Sequence, residues 1–258
     1  MKKMLANFNK YRPLLNELVI RDVKTKYRRS VLGVLWTLLN PLLMMVVLSV
    51  VFSRIFRFEV DNYPLYLLSG QVVFTFFSTS TTMAMSAILD NAPLIKKVYV
   101  PKYMFVLSRT VSSAINLMAS LSALIIVMFC TRAQLHYTVL LSVFPVLSLI
   151  MFTFGVGMIL ATIAVKFRDI VHLYSVLTTA LMYLTPVIYP LSELPDWVRR
   201  VVLINPLTSI LEMFRGFVIY GTMPDLLTTL MTVVPSIIVI LLGCRVFYKN
   251  QDNFILYV

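Results

Sequence analysis

Cations crowd the stretch RDVKTKYRRSVLGVLWTLLNP, residues 21–41, and Arg21, Lys24, Arg28 and Arg29 stand immediately before an uncharged run. On a helix Arg21, Lys24 and Arg28 share one face, while Leu15, Val19, Val23 and Tyr27 recur every four residues on the other. A basic face of this kind can hold anionic headgroups or a phosphate-bearing ligand, and arginine adds a planar fork that matches phosphate oxygens. The same charges would also serve as simple anchors beside a membrane.

Other chemistry is sparse. No glycine is followed by lysine, so no GxxxxGK[ST] phosphate loop exists, and HExxH is absent. His136 and His172 are lone histidines, read as interfacial polar residues. Cys130 and Cys244 fall at opposite membrane faces in the register below, which excludes a disulfide between them, and neither has neighbours suited to a metal.

The elements that would carry these residues follow from composition. The 258-residue chain is 59% hydrophobic and 13% charged, against about 45–50% and about 25% in a soluble domain. Uncharged runs at 30–53, 62–89, 110–131, 133–165, 170–192 and 226–244 each approach or exceed the roughly 20 residues needed to cross about 30 Å of hydrocarbon. The expectation is an all-α polytopic membrane protein, a single domain over 1–258. Its six transmembrane helices would lie at 31–53, 63–88, 105–130, 139–165, 170–191 and 226–245. The first apolar run starts too late and runs too long for a signal peptide. With both termini cytoplasmic, 17 of the 23 lysines and arginines fall in inner segments and 6 in outer ones, the bias that basic residues show in membranes. The net charge of +12 is then topology, and no nucleic-acid partner is expected.

Three further segments stand out. Residues 1–30 read as an amphipathic helix in the cytoplasmic interface, apolar side in lipid, with Gly33 bending the chain at membrane entry and Pro41 kinking the first span. Residues 90–100, within DNAPLIKKVYVPKYMFVLSR, read as a short cytoplasmic helix capped by Asp90 or Asn91, with Pro93 in its first turn and Pro101 ending it. Arg109 follows near the inner end of the third span, a structural residue able to snorkel. Residues 192–225 hold two apolar pieces separated by Glu212 and Arg215, each too short to span, which suggests an external re-entrant helical hairpin before the last helix. No acidic residue lies inside a proposed span, against a buried carboxylate relay. The driving energy must come from another subunit.

The stretches RDVKTKYRRSVLGVLWTLLNPLL, VFSRIF and NAPLIKKVYVPKY resemble the membrane subunit of ABC-2 type exporters of bacterial cell-surface polysaccharides, the O-antigen, teichoic acid and capsule-type permeases. The likeness spans nearly the whole chain. It implies a non-enzymatic permease of the bacterial inner membrane, paired with a second copy of itself and two cytoplasmic ATPase subunits that hold ATP and Mg2+, with no cofactor in this chain. It further implies a coupling helix carrying Asp90, Asn91, Pro93, Leu94, Ile95, Lys96 and Lys97. The substrate would be a glycan on a polyprenyl diphosphate lipid, received at Arg21, Lys24, Arg28 and Arg29. Sugars stack on aromatic rings, so Trp36, Phe74, Phe77, Tyr183 and Tyr189 are candidates for the glycan path, although aromatics also anchor and pack helices. An ABC-2 exporter of a small lipid or drug would share this plan. A membrane transferase acting on lipid-linked sugars is disfavoured by the lack of an acidic or histidine cluster.

Overall fold

The computed structural model describes residues 2–28, 30–55, 60 and 62–257, and every regular element among them is helical. Among the described residues four helices are long and apolar enough to cross a membrane. They are α3 (Tyr63–Asp90), α5 (Tyr103–Cys130), α6 (Val143–Lys166) with a preceding turn from Tyr137, and α10 (Leu226–Asn250), which continues into α11 (Phe254–Tyr257). Two apolar helices are shorter: α2 (Trp36–Ile55), apolar over Trp36–Phe52, and α7 (Ile170–Leu184). At 15 residues, α7 reaches about 22 Å, less than the hydrocarbon it was expected to cross over 170–191. The first expected span starts later than 31, because a tight turn at Gly33–Leu35 precedes Trp36.

Two glycines on opposite faces of α6 set the packing. A Cβ at Gly155 would lie 2.6 Å from the Ile240 nitrogen and Val239 carbonyl of α10, and one at Gly157 would lie 2.7 Å from the Ala84 Cβ of α3. Only hydrogen side chains let three helices approach so closely, as is usual between helices in lipid. The apolar faces left outward, such as Leu230, Ile237 and Leu241 on α10, are exposed and suit lipid contact.

Capping fixes which ends meet. Asn62 accepts from the Leu65 nitrogen to start α3, and its amide donates to Thr131 Oγ1 at the end of α5 (2.8 Å). At the opposite end of the bundle, Lys166 Nζ donates to Asn250 Oδ1 (2.8 Å), and Lys102 Nζ donates to the Gln251 carbonyl. Burial holds the Lys102 ammonium below the usual lysine range, with Asp252 opposing that shift.

The amino-terminal helix α1 (Lys2–Tyr27) corrects one expectation. Its apolar side packs on protein, not lipid: Leu15, Leu18 and Val19 share a cluster with Ile88, Met104, Phe105, Phe254 and Ile95, the last from α4 (Ala92–Lys97). The buried side follows 15, 18, 19 and 22, so it takes in Asp22, while Val23 is half-buried. The expected stripe of every fourth residue drifts away from the contact because a helix turns in 3.6 residues, not 4. Neither Asp90 nor Asn91 caps α4 through its side chain. Asn91 instead donates to the Ala87 carbonyl (2.7 Å), finishing α3, and Asp90 is held by Ser86 and Arg109.

Residues 192–225 form α8 (Asp196–Ile204) and α9 (Pro206–Arg215) with a wide turn, Gly216–Tyr220, after it; the two arms meet at 96°. Asn205 at the bend accepts from the Leu207 nitrogen, and Pro206 occupies the first helical position, where its missing N–H costs nothing. Gly221 then takes a left-handed φ of 64° against the His136 ring, 2.5 Å from where a Cβ would stand.

Candidate functional site

A cavity of about 540 Å³ lies between α2, α3 and α5, bordered by Met182 of α7 and by Val187. Its size falls among ligand-binding cavities. The lining is unusual for membrane helices. From α3 come Gln71, Thr75, Ser78 and Thr79, spaced i, i+4, i+7, i+8; from α5 come Ser113, Asn116 and Ser120; from α2 come Thr37 and Asn40. Three helices thus turn their polar faces to one space. Among the described residues no carboxylate lines it, and the single lysine is Lys26.

Gln71 is the most telling member. It is 9% exposed, and its Oε1 has no hydrogen-bond partner among the described residues. A buried, unmade carbonyl bond costs about 1–3 kcal/mol, a penalty that water or a hydroxyl-bearing ligand in the cavity would remove. Apart from Lys26, these uncharged donors and acceptors suit a polyhydroxylated molecule. Lining groups on α5 also bond back to their own helix, as Ser120 Oγ does to the Asn116 carbonyl (3.1 Å) and Asn116 Nδ2 to that of Ser112 (3.2 Å), so these polar groups cost little when no ligand is near.

The five expected path aromatics separate. Trp36 and Phe74 line the cavity. Phe77 turns into the core, 3% exposed, and stacks on Phe152 at 5.8 Å between centroids. Tyr183 is 65% exposed on α7, and its carbonyl accepts from the Tyr189 hydroxyl (2.6 Å); neither ring lines this cavity.

Arg215, expected in an outer loop, is wholly buried. Its Nε donates to Ser69 Oγ (3.2 Å), Nη1 to the Tyr66 hydroxyl and the Pro186 carbonyl (both 2.7 Å) and to Glu212 Oε1 (3.2 Å), and Nη2 to the Tyr66 and Val187 carbonyls (both 3.1 Å). All its donors are used, the condition under which a buried charge is tolerated. Through Val187 it holds part of the cavity wall. Gly70 makes room: a Cβ there would lie 2.8 Å from Arg215 Nη2 and from the Val187 carbonyl. Sequence reasoning missed this centre, because nothing local marks an arginine as buried.

At the other end, Arg21 and Lys24 are exposed along α1, Arg28 is exposed in the turn just after it, and Arg29 lies outside the described residues. On α4, Ile95 anchors into the cluster shared with α1 while Pro93, Lys96 and Lys97 face outward, Leu94 is half-buried, and Asp90 and Asn91 close α3. Val98 and Tyr99, the latter 91% exposed, extend that surface.

Known proteins share this sequence over its length. A family model described as ABC-2 type transporter matches residues 13–219. The chain is 32% identical to the O-antigen export system permease protein RfbA of Myxococcus xanthus, covering 98% of both chains. It is 26% identical to the protein of the same name from Klebsiella pneumoniae (98% and 97% covered) and 20% identical to the polysialic acid transport protein KpsM of Escherichia coli (96% and 97%). Helical architecture, span-length apolar helices and full-length similarity converge: the chain belongs to the ABC-2 type transporter family.

Proposed function

We propose that the chain is the permease subunit of an ATP-driven exporter that moves a cell-surface polysaccharide of the O-antigen or capsule type across the bacterial inner membrane. The observation that carries this reading is the hydroxyl- and amide-lined cavity, with no carboxylate among its described lining residues and flanked by Trp36 and Phe74. Such a surface can exchange hydrogen bonds with successive sugars without holding any of them through a deep ion pair. The full-length likeness to permeases named for O-antigen export and polysialic acid transport supports the same cargo class.

In this reading two copies assemble with two cytoplasmic ATPase subunits, which hold the ATP and Mg2+. Six crossings are made by α2, α3, α5, α6, α10 and by α7 together with the broken segment after it, and the bent pair α8–α9 re-enters the outer face. Both termini are cytoplasmic, in keeping with the 17 to 6 distribution of basic residues. The surface of Lys96, Lys97 and Tyr99 docks on the ATPase, and the basic face of α1 receives a polyprenyl diphosphate headgroup.

Depletion of the chain tests the cargo. Lipid-linked glycan should accumulate inside the cell while surface polymer disappears. Normal surface glycan alongside altered efflux of a small lipid or drug would favour the small-molecule exporter instead.

A further inference from the structure

One guanidinium joins the two cytoplasmic surfaces just assigned. Arg109 on α5 places Nη1 3.2 Å from Asp22 Oδ1 of α1 and Nη2 3.0 Å from Oδ2 of Asp90, the last residue of α3, two positions before α4. Arg21 Nη2 approaches the same Asp22 oxygen at 3.2 Å. The order in space is therefore Arg21, Asp22, Arg109, Asp90, with alternating charge and no excess of either sign. The burial is graded. The Asp22 side chain is 3% exposed and that of Arg109 16%, whereas Arg21 and Asp90 at the two ends are 46% and 47% exposed. The middle is also incompletely bonded: Asp22 Oδ2 and Arg109 Nε have no partner among the described residues.

We infer that Arg109 is a positioning residue through which an anionic headgroup on α1 and the ATPase on α4 sense one another. The inference rests on the proposed reading of those two surfaces. A diphosphate that binds Arg21 competes with Asp22 for the same guanidinium. Asp22 is buried, and a buried charge losing a partner is costly, so its carboxylate leans harder on Arg109. Arg109 also holds Asp90 at the end of α3, joined to the docking helix through Asn91 alone, so a shift of the guanidinium is passed to α4. The planar fork serves the two carboxylates from separate nitrogens, Nη1 and Nη2, a spacing that the single-centred ammonium of lysine does not reproduce. Because coupling between two binding events is reciprocal, docking of the ATPase must change headgroup affinity by the same factor that the headgroup changes docking.

The test uses the full-length permease in phosphatidylcholine nanodiscs, with and without its ATPase subunits, and undecaprenyl diphosphate as the probe. In the wild type the probe's dissociation constant should differ between the two preparations by about fivefold or more. In Arg109→Lys the ratio should fall to about one while probe and ATPase both still bind. Asp22→Asn should remove the ratio too and should tighten probe binding to the free permease, since Arg21 is released; a merely structural role would not tighten it. A ratio that survives in Arg109→Lys overturns the inference, as does a wild-type ratio near one with normal probe binding. Loss of ATPase association in both variants would make the ion chain a fold element and overturn it as well. No probe binding to the wild type in either preparation would instead remove the headgroup reading of α1, and the relay with it.

Discussion

The Arg215 guanidinium sits over the Tyr66 ring, 3.5 Å from its centroid, while donating to that residue's hydroxyl and carbonyl. The same cation bonds the Pro186 and Val187 carbonyls, which the end of α7 leaves without helical partners. It therefore ties the bent pair α8–α9 to α3 and to the wall of the cavity.

Replacement Arg215→Met should destabilise the protein by about 3 kcal/mol, since buried carbonyls lose their donors together. Arg215→Lys should recover only part of this, because an ammonium has three donors and no planar fork. Thermal unfolding of the purified protein, with protease accessibility of residues 186–190, reads both; unchanged melting would show that the arginine is dispensable.

Gln71→Leu separates stability from transport. Removal of the unpartnered Oε1 should leave the melting temperature equal or higher, by up to about 2 kcal/mol equivalent. Export of the polysaccharide should nevertheless slow, since a cavity-facing amide is lost. Normal export by a normally assembled variant would take the cavity off the glycan path.

Gly155→Ala should lower stability, as its new methyl would fall 2.6 Å from α10 backbone atoms. Gly216→Ala meets its nearest neighbour, Thr222 Oγ1, at 3.4 Å, and should melt within about 0.5 kcal/mol of the parent. Equal melting of the two would mean that α6 and α10 separate at little cost.

Charge reversal of Lys96 and Lys97 together should reduce the ATPase recovered with the permease, or uncouple hydrolysis from export, with membrane insertion intact. Tyr99→Ala should act in the same direction, given how fully that ring is exposed. Full recovery together with full export in both would place the docking surface elsewhere.

Reporter fusions after Gln251 should behave as cytoplasmic, and cysteines introduced at 194–198 should label from outside. External behaviour of the carboxyl-terminal fusion would contradict six crossings.

Helical class and the places of four long apolar helices were readable in the chain because apolar transfer energy is local and nearly additive along a helix: long uncharged runs become α3, α5, α6 and α10 whatever they pack against. The short helix at 92–97 was legible for a similar reason, with Pro93 favouring its start and Pro101 disfavouring its continuation. The polar spacing of Gln71, Thr75, Ser78 and Thr79 was also present in the sequence, though only the juxtaposition of α2, α3 and α5 turns it into a cavity. Which way a residue faces among neighbours was decided by tertiary structure alone. Phe74 and Phe77 are three residues apart on one helix, yet one lines the cavity and the other stacks in the core. Asp22 lies under α1 because Arg109, 87 positions later, waits there, and Arg215 is buried because six oxygens from three separate stretches converge on it. Burial of a charge depends on partners arriving from elsewhere in the chain, and in a low dielectric their presence or absence outweighs any local preference.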